Sequence, residues 1–262
     1  MNKLFTVDIG NSTIAIGIFE DKKIIHSFRF ATNKEYLSTE YQLMVEASIK
    51  QKEILYNDIQ GAVLSSTVPS LSIIFEQVIK NIFGFDPLIV GPGIKTRLNI
   101  KYENPKEIGP DRILHAVAGL NIAEPPLIIV DLGTGLVFDA INKKVEYLGG
   151  AIAAGVSISA NALFFKGAML NSITIEKPKS IIGKNTKTAL EAGLYFGNLE
   201  MIKGIVGKMK EELGKESKVI GTGGDISLFK DDLDIFDYVE PDLNLHGLYL
   251  LYSANKKEEN EK

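Results

Sequence analysis

Phe5-Thr-Val-Asp-Ile-Gly-Asn-Ser-Thr13 decides the fold, because its pattern returns later in the chain as Ile128-Ile-Val-Asp-Leu-Gly-Thr-Gly135. Each copy is an apolar run ending in Asp-x-Gly and a small hydroxyl or amide residue. Each leads into a second β-rich run, Ile14 to Phe19 and Leu136 to Ile141. A tight turn of this composition aims backbone N–H groups and side-chain oxygens at one point, which suits a phosphate. A lone Asp-x-Gly after a strand is more often only a turn. Repetition at about half the chain length, with aspartates at 8 and 131, points to two similar lobes, each offering an acidic turn to a nucleotide between them.

Composition narrows the class. The chain has 262 residues, 45% hydrophobic and 24% charged, enough for one large core or two smaller ones. A net charge of −4 and the lack of any basic run longer than two residues argue against a nucleic-acid partner. There is no cysteine, so disulfides and thiolate metal sites are excluded. His26, His115 and His246 share no metal-like spacing and read as structural. No signal-peptide pattern or membrane-length apolar stretch is present, and the expectation is a cytoplasmic chain with no membrane partner.

Along the chain, residues 3 to 9 read as a buried strand, and 14 to 20 with 23 to 31 as a hairpin turned at Glu20 to Lys23. A helix over Tyr36 to Lys52, a strand near Gly61 to Leu64, a helix from Pro69 to Ile82 and a strand at Leu88 to Val90 follow. That order is ribonuclease-H-like. Residues 91 to 105 form a long Gly- and Pro-rich connection of the kind that is often functional. Gly109-Pro-Asp-Arg112 opens a helix to about Ala123. Strands near 127 to 131, 136 to 141 and 144 to 148 precede Gly149-Gly-Ala-Ile-Ala-Ala-Gly155. Helices are expected near 156 to 166, over 186 to 213 with a cap at Asn185-Thr186, and over Leu243 to Ala254. The strand Lys218 to Ile220 runs into Thr222-Gly-Gly-Asp225. The expected division is a first lobe over 1–122, a second over 123–255 and a disordered charged tail over 256–262.

Asp111 lies in a helix's first turn, where an acid is favoured by about 0.3–1 kcal/mol through the helix dipole alone. Its place after a long loop and between two nucleotide-type turns also suits a base that orients an attacking hydroxyl and accepts its proton late. Arg112 suits an ion pair, a substrate carboxylate or a phosphoryl oxygen. Thr222-Gly-Gly is either a plain turn or a close approach of backbone to a flat base. No Walker-type Gly-x-x-x-x-Gly-Lys-Ser/Thr segment occurs.

Over nearly the whole chain these motifs resemble those of type III pantothenate kinases, of the actin-like and sugar-kinase superfamily. The matching pieces are Asp8-Ile-Gly-Asn-Ser-Thr13, Asn104-Pro-x-x-Ile-Gly-x-Asp-Arg112, Asp131-Leu-Gly-Thr134, Gly149-Gly-Ala-Ile-x-x-Gly155, Asn185-Thr-x-x-Ala-Leu-x-x-Gly193 and Thr222-Gly-Gly224. The resemblance implies an α/β fold of two ribonuclease-H-like lobes, the actin-like ATPase fold, each a mixed sheet with helices on both faces. It implies phosphorylation of pantothenate by ATP, the first step of coenzyme A biosynthesis. ATP and Mg2+ are expected along Asp8, Ile9, Gly10, Asn11, Ser12, Thr13, Ile14 and Ala15, with Asp8 near the metal and Thr134 as a further ATP contact. Asp131 falls on the ligand of a monovalent cation, K+ or NH4+. Asp111 falls on the catalytic base, and Tyr102, Gly109, Pro110, Asp111, Arg112 and Thr186 on pantothenate contacts. A homodimer is implied, with the helix after Thr186 a candidate for the contact.

Two departures stand out. The family usually reads Asp-Phe-Gly-Thr-Ala-Thr-Thr-Phe-Asp in the second turn, where this chain has Gly135-Leu136-Val137 after Thr134 and so lacks two hydroxyls. It also commonly has alanine at the place of Pro110, and proline before the glycine at the place of Ala154-Gly155. Two other readings stay open: a non-catalytic relative like the Bvg accessory factors, and a superfamily kinase or phosphatase with another acceptor. The intact Asp8, Asp111, Arg112 and Asp131 favour the kinase.

Overall fold

The computed structural model describes residues 3–166, 175–229 and 231–259, those of 164–166 and 257–259 by backbone only. The chain forms two compact units. Unit 1 comprises Met1–Arg97, Asn104–Ala118 and Leu243–Lys262, and unit 2 comprises Leu98–Glu103 and Gly119–Asp242.

Unit 1 begins with β1 (Lys3–Ile9), β2 (Thr13–Glu20) and β3 (Lys23–Ala31), followed by α1 (Ser38–Gln51), β4 (Ile59–Ser66), α2 (Pro69–Phe83) and β5 (Leu88–Ile89). The sheet order is β3-β2-β1-β4-β5. β1 pairs antiparallel with β2 and parallel with β4, so the sheet is mixed. The β2–β3 turn holds Asp21 and Lys22 at positive φ, the local twist that a two-residue hairpin favours.

The period-2 alternation of β1 sets its two faces. Phe5, Val7 and Ile9 join a core with Tyr41, Val45 and Ile49 of α1 and Leu71, Phe75, Val78 and Ile79 of α2. Leu4, Thr6 and Asp8 therefore take the other face. There α7 (Leu243–Glu259), the last helix, lies across β1, β2 and β4. Its Leu243, Leu245, Leu248 and Leu251 are buried. Gly17 faces Thr6 and Leu245 too closely for a Cβ, and Gly61 likewise faces Tyr252. The helix runs on past Ala254, where its apolar pattern ends, and residues 260–262 lie outside the described residues.

Unit 2 repeats the plan. Its strands are β6 (Asn99–Ile100), β7 (Leu127–Leu132), β8 (Gly135–Ile141), β9 (Glu146–Ala154), β10 (Lys218–Thr222) and β11 (Tyr238–Val239), in the order β11-β10-β7-β8-β9-β6. Without β6 at the edge, this is the arrangement of unit 1, with β7 in the place of β1. Ile128, Val130 and Leu132 pack against Val156 and Ala160 of α4 (Val156–Lys166) and against Tyr195, Leu199 and Ile202 of α5 (Thr186–Leu213). Asn185 caps α5 as expected, accepting from the Thr188 N–H at 3.0 Å.

Two expectations along the chain need correction. The strand expected over 144 to 148 spans Glu146–Ala154 and takes in most of the glycine-rich motif. Glycine usually weakens a strand. Here Gly149 has φ +110°, a register shift falls beside it, and a Cβ on Gly150 would collide with the Phe138 carbonyl, so β9 can follow β8 only because these positions lack side chains. The connection 91 to 105 also contributes β6, which pairs parallel with β9. No helix among the described residues is long and apolar enough to cross a membrane.

Candidate functional site

Asp8 stands near the C-terminal end of β1, opposite Ala15 of β2 and Ser65 of β4. It is only 9% exposed. Its Oδ2 accepts from Asn244 Nδ2 of α7 at 2.6 Å. Its Oδ1 and the neighbouring Ser65 Oγ are buried with no hydrogen-bond partner. Burial is the main influence on the Asp8 carboxyl and pushes its pKa above the ordinary range. The bond from Asn244 opposes this, the Asp111 charge adds to it, and the His115 charge counteracts it.

The turn beyond Asp8 is closed by its own backbone. Gly10 N–H donates to Thr13 O at 2.9 Å, and Thr32 Oγ1 donates to Gly10 O at 2.7 Å. Asn11, Ser12 and Thr13 are exposed, whereas Ile9, Ile14 and Ala15 are buried. Of the expected nucleotide residues 8 to 15, those three apolar ones can offer a ligand only their backbone.

Asp111 occupies the first turn of α3 (Pro110–Ile122). A Cβ on Gly109 would collide with Asp111 Oδ1, so glycine at that position leaves room for the carboxylate to fold back over the helix start. Asn104 supports the approach, accepting from Lys106 N–H and donating to Glu107 Oε1 at 2.7 Å. Asp111 is partly exposed; Arg112 beside it in the first turn and His115 one turn further on are buried. Unit 1 thus brings both Asp111 and His115 into the electrostatic neighbourhood of Asp8.

In unit 2, Asp131 takes the position in β7 that Asp8 takes in β1. It lies opposite Val137 of β8 and Thr222 of β10, where Asp8 has Ala15 and Ser65. Gly223, at φ +98°, approaches Asp131 Oδ1 and Leu132 O too closely for any side chain. Gly155 N–H donates to Thr134 O at 3.1 Å and secures the turn that carries Thr134. Tyr102 packs on Gly149 and Tyr147, and Thr186 is exposed at the start of α5. Of the expected pantothenate contacts, Gly109 to Arg112 therefore belong to unit 1, and Tyr102 and Thr186 to unit 2.

Asp225, after the Thr222-Gly-Gly turn, lines a small cleft with Gly133, Leu136, Gly155 and Asn198. Burial pushes its carboxyl pKa up from 3.8. A folded pKa above the unfolded one means that the protonated form's contribution is complete below 3.8 and is lost as pH rises through the folded value. Asp225→Asn is therefore expected to raise Tm at pH 8 and to give no gain at pH about 3.5. Thermal melts across pH check this, and an equal gain at both ends would rule out burial as the cause.

Sequence reading missed Asn244 and Ser65. Asn244 sits in Leu243-Asn-Leu-His-Gly, where an amide at a helix start looks like a cap. Ser65 looks like loop chemistry after the strand expected over Gly61 to Leu64. Only strand register and α7 show that both surround Asp8. His115, read as structural, lies four residues after Asp111, a spacing visible in the sequence but silent about what it faces.

Comparison with known proteins places the chain as a whole. The family description of type III pantothenate kinase matches residues 4–208. A type III pantothenate kinase of Bacillus cytotoxicus is 42% identical over 259 residues, covering 99% of both chains. Among solved structures, a protein of Campylobacter jejuni assigned to the Baf family of transcriptional activators has a TM-score of 0.57 at 17% identity, over 97% of this chain and 99% of its own. MreB 5 of Spiroplasma citri, bound to AMPPNP, has a TM-score of 0.55 at 11% identity, over 100% and 99%. These two likenesses show the actin-like fold alone. With the match spanning most of the chain and the relative aligned end to end, the chain belongs to the type III pantothenate kinase family.

Proposed function

We propose that the chain transfers the γ-phosphoryl group of ATP to the primary hydroxyl of pantothenate, giving 4′-phosphopantothenate for coenzyme A biosynthesis in the cytoplasm. The observation that carries this reading is the Asp8 carboxylate: buried, fixed through one oxygen, and left with the other unbonded beside Ser65, in the same unit as Asp111.

That orphaned oxygen fits Mg2+, which is commonly held by one or two carboxylates and completes its shell with water and phosphate oxygens. Asp131, with the Leu132 carbonyl beside it, offers hard oxygens that fit K+ or NH4+. When bound, these cations neutralise charge gathering on the phosphoryl oxygens.

The chain's own residues do the rest. The exposed Asn11, Ser12 and Thr13 bind phosphate, and Thr134 adds a second contact. Gly109 to Arg112, Tyr102 and Thr186 hold pantothenate, with the Arg112 fork suited to its carboxylate. Asp111 orients the hydroxyl and accepts its proton late, as a loose transition state requires. A homodimer, with the helix α5 after Thr186 as the candidate contact, completes the proposed assembly.

The test is turnover by purified protein with ATP, Mg2+ and K+, with and without pantothenate, following ADP and phosphorylated product together. ADP formation that depends on pantothenate and matches the product supports the kinase. Absence of turnover by folded protein, with K+ and NH4+ each tried, would overturn it in favour of a non-catalytic relative.

A further inference from the structure

Asn244 is the second residue of α7, and its side-chain amide is pinned at both ends. Oδ1 accepts the Leu245 N–H at 2.9 Å, and Nδ2 donates to Asp8 Oδ2 at 2.6 Å. The amide cannot flip without losing both bonds. Asp8 Oδ2 is therefore occupied, and Oδ1 is the oxygen left without a partner. We propose that Asn244 is a positioning residue that holds Asp8 in the one orientation presenting Oδ1 to a divalent cation. This rests on the reading of Asp8 as a residue beside Mg2+.

The logic is that of a group behind a metal ligand. A carboxylate fixed through one oxygen binds with the other at no further cost in rotamer freedom, and loss of such a support typically lowers metal affinity about 10- to 100-fold. A helix at the far end of the sequence thus sets the geometry of a residue near its beginning.

The experiment titrates Mg2+, and separately Mn2+, into full-length protein with a non-hydrolysable ATP analogue, reading nucleotide binding by calorimetry. Asn244→Ala, Asn244→Leu and Asp8→Asn are compared with the unchanged chain. Leucine nearly keeps the volume of asparagine and serves if the alanine variant folds poorly. Both Asn244 variants are expected to raise the half-saturating metal concentration about tenfold or more, with KM for pantothenate moving less than about twofold. A lowered Tm with unchanged metal dependence would overturn the proposal and leave Asn244 as a tie between α7 and β1. If Asp8→Asn itself leaves metal dependence unchanged, the reading of Asp8 fails and the proposal falls with it.

Discussion

Asp111→Asn is expected to lower kcat by about two to four orders of magnitude, the usual worth of a positioned general base. Nucleotide binding should survive. Asparagine keeps the shape of the side chain folded over Gly109, and the Asp111 charge acts against the ionised form of Asp8. Its removal relieves that repulsion, so binding of an ATP analogue with Mg2+ should be as tight as in the unchanged protein or tighter. Single-turnover rates beside calorimetric binding separate the two effects. A variant with a near-normal rate would remove Asp111 from proton transfer.

Gly247→Ala should damage both stability and turnover. A Cβ at 247 would lie 2.8 Å from the Leu114 carbonyl carbon and α-carbon, which are backbone atoms of α3 that cannot swing aside. The helices must part, and overpacking of this kind costs about 1–3 kcal/mol. For a chain of this size, that corresponds to a Tm lower by about 2–12 °C. The strain falls one turn from Asn244 on α7 and one turn from Asp111 on α3, so kcat should fall along with Tm. An unchanged Tm would show that α3 and α7 can separate without cost.

Much of the fold was legible because the same signal occurs twice. The Asp-x-Gly turns at 8 to 10 and 131 to 133 marked both central strands and their hairpins, and alternation placed β1 to β4 closely. The Asn185 cap was visible because it is local chemistry. What stayed hidden depended on long-range pairing. β6 and β11 have two residues each, too few for any period to show. β9 continues through Gly149 and Gly150, which sequence alone reads as a strand's end. In the site, Asp8, Asp111 and Asp131 could be named from motifs. That Ser65 and Thr222 occupy matching registers beside Asp8 and Asp131 needed the sheet. So did the finding that Val137, which replaces a family threonine, corresponds to Ala15 in the first unit: an apolar residue beside the aspartate already has a precedent within this chain.

The return of α7 to unit 1 also bears on how the protein is made. A ribosome that has reached Asp242 has synthesised all of unit 2 but has left one face of the first unit's sheet bare. Leu4, Phe19 and Val63, buried in the finished protein, would then lack the cover of a helix whose Tyr249 ring stacks on Phe19 at 4.9 Å. Asp8 would also lack Asn244. Translation that stops short in this stretch therefore yields a sticky and inactive chain instead of a slightly trimmed enzyme. The proposed binding of metal and nucleotide would then depend on translation through α7.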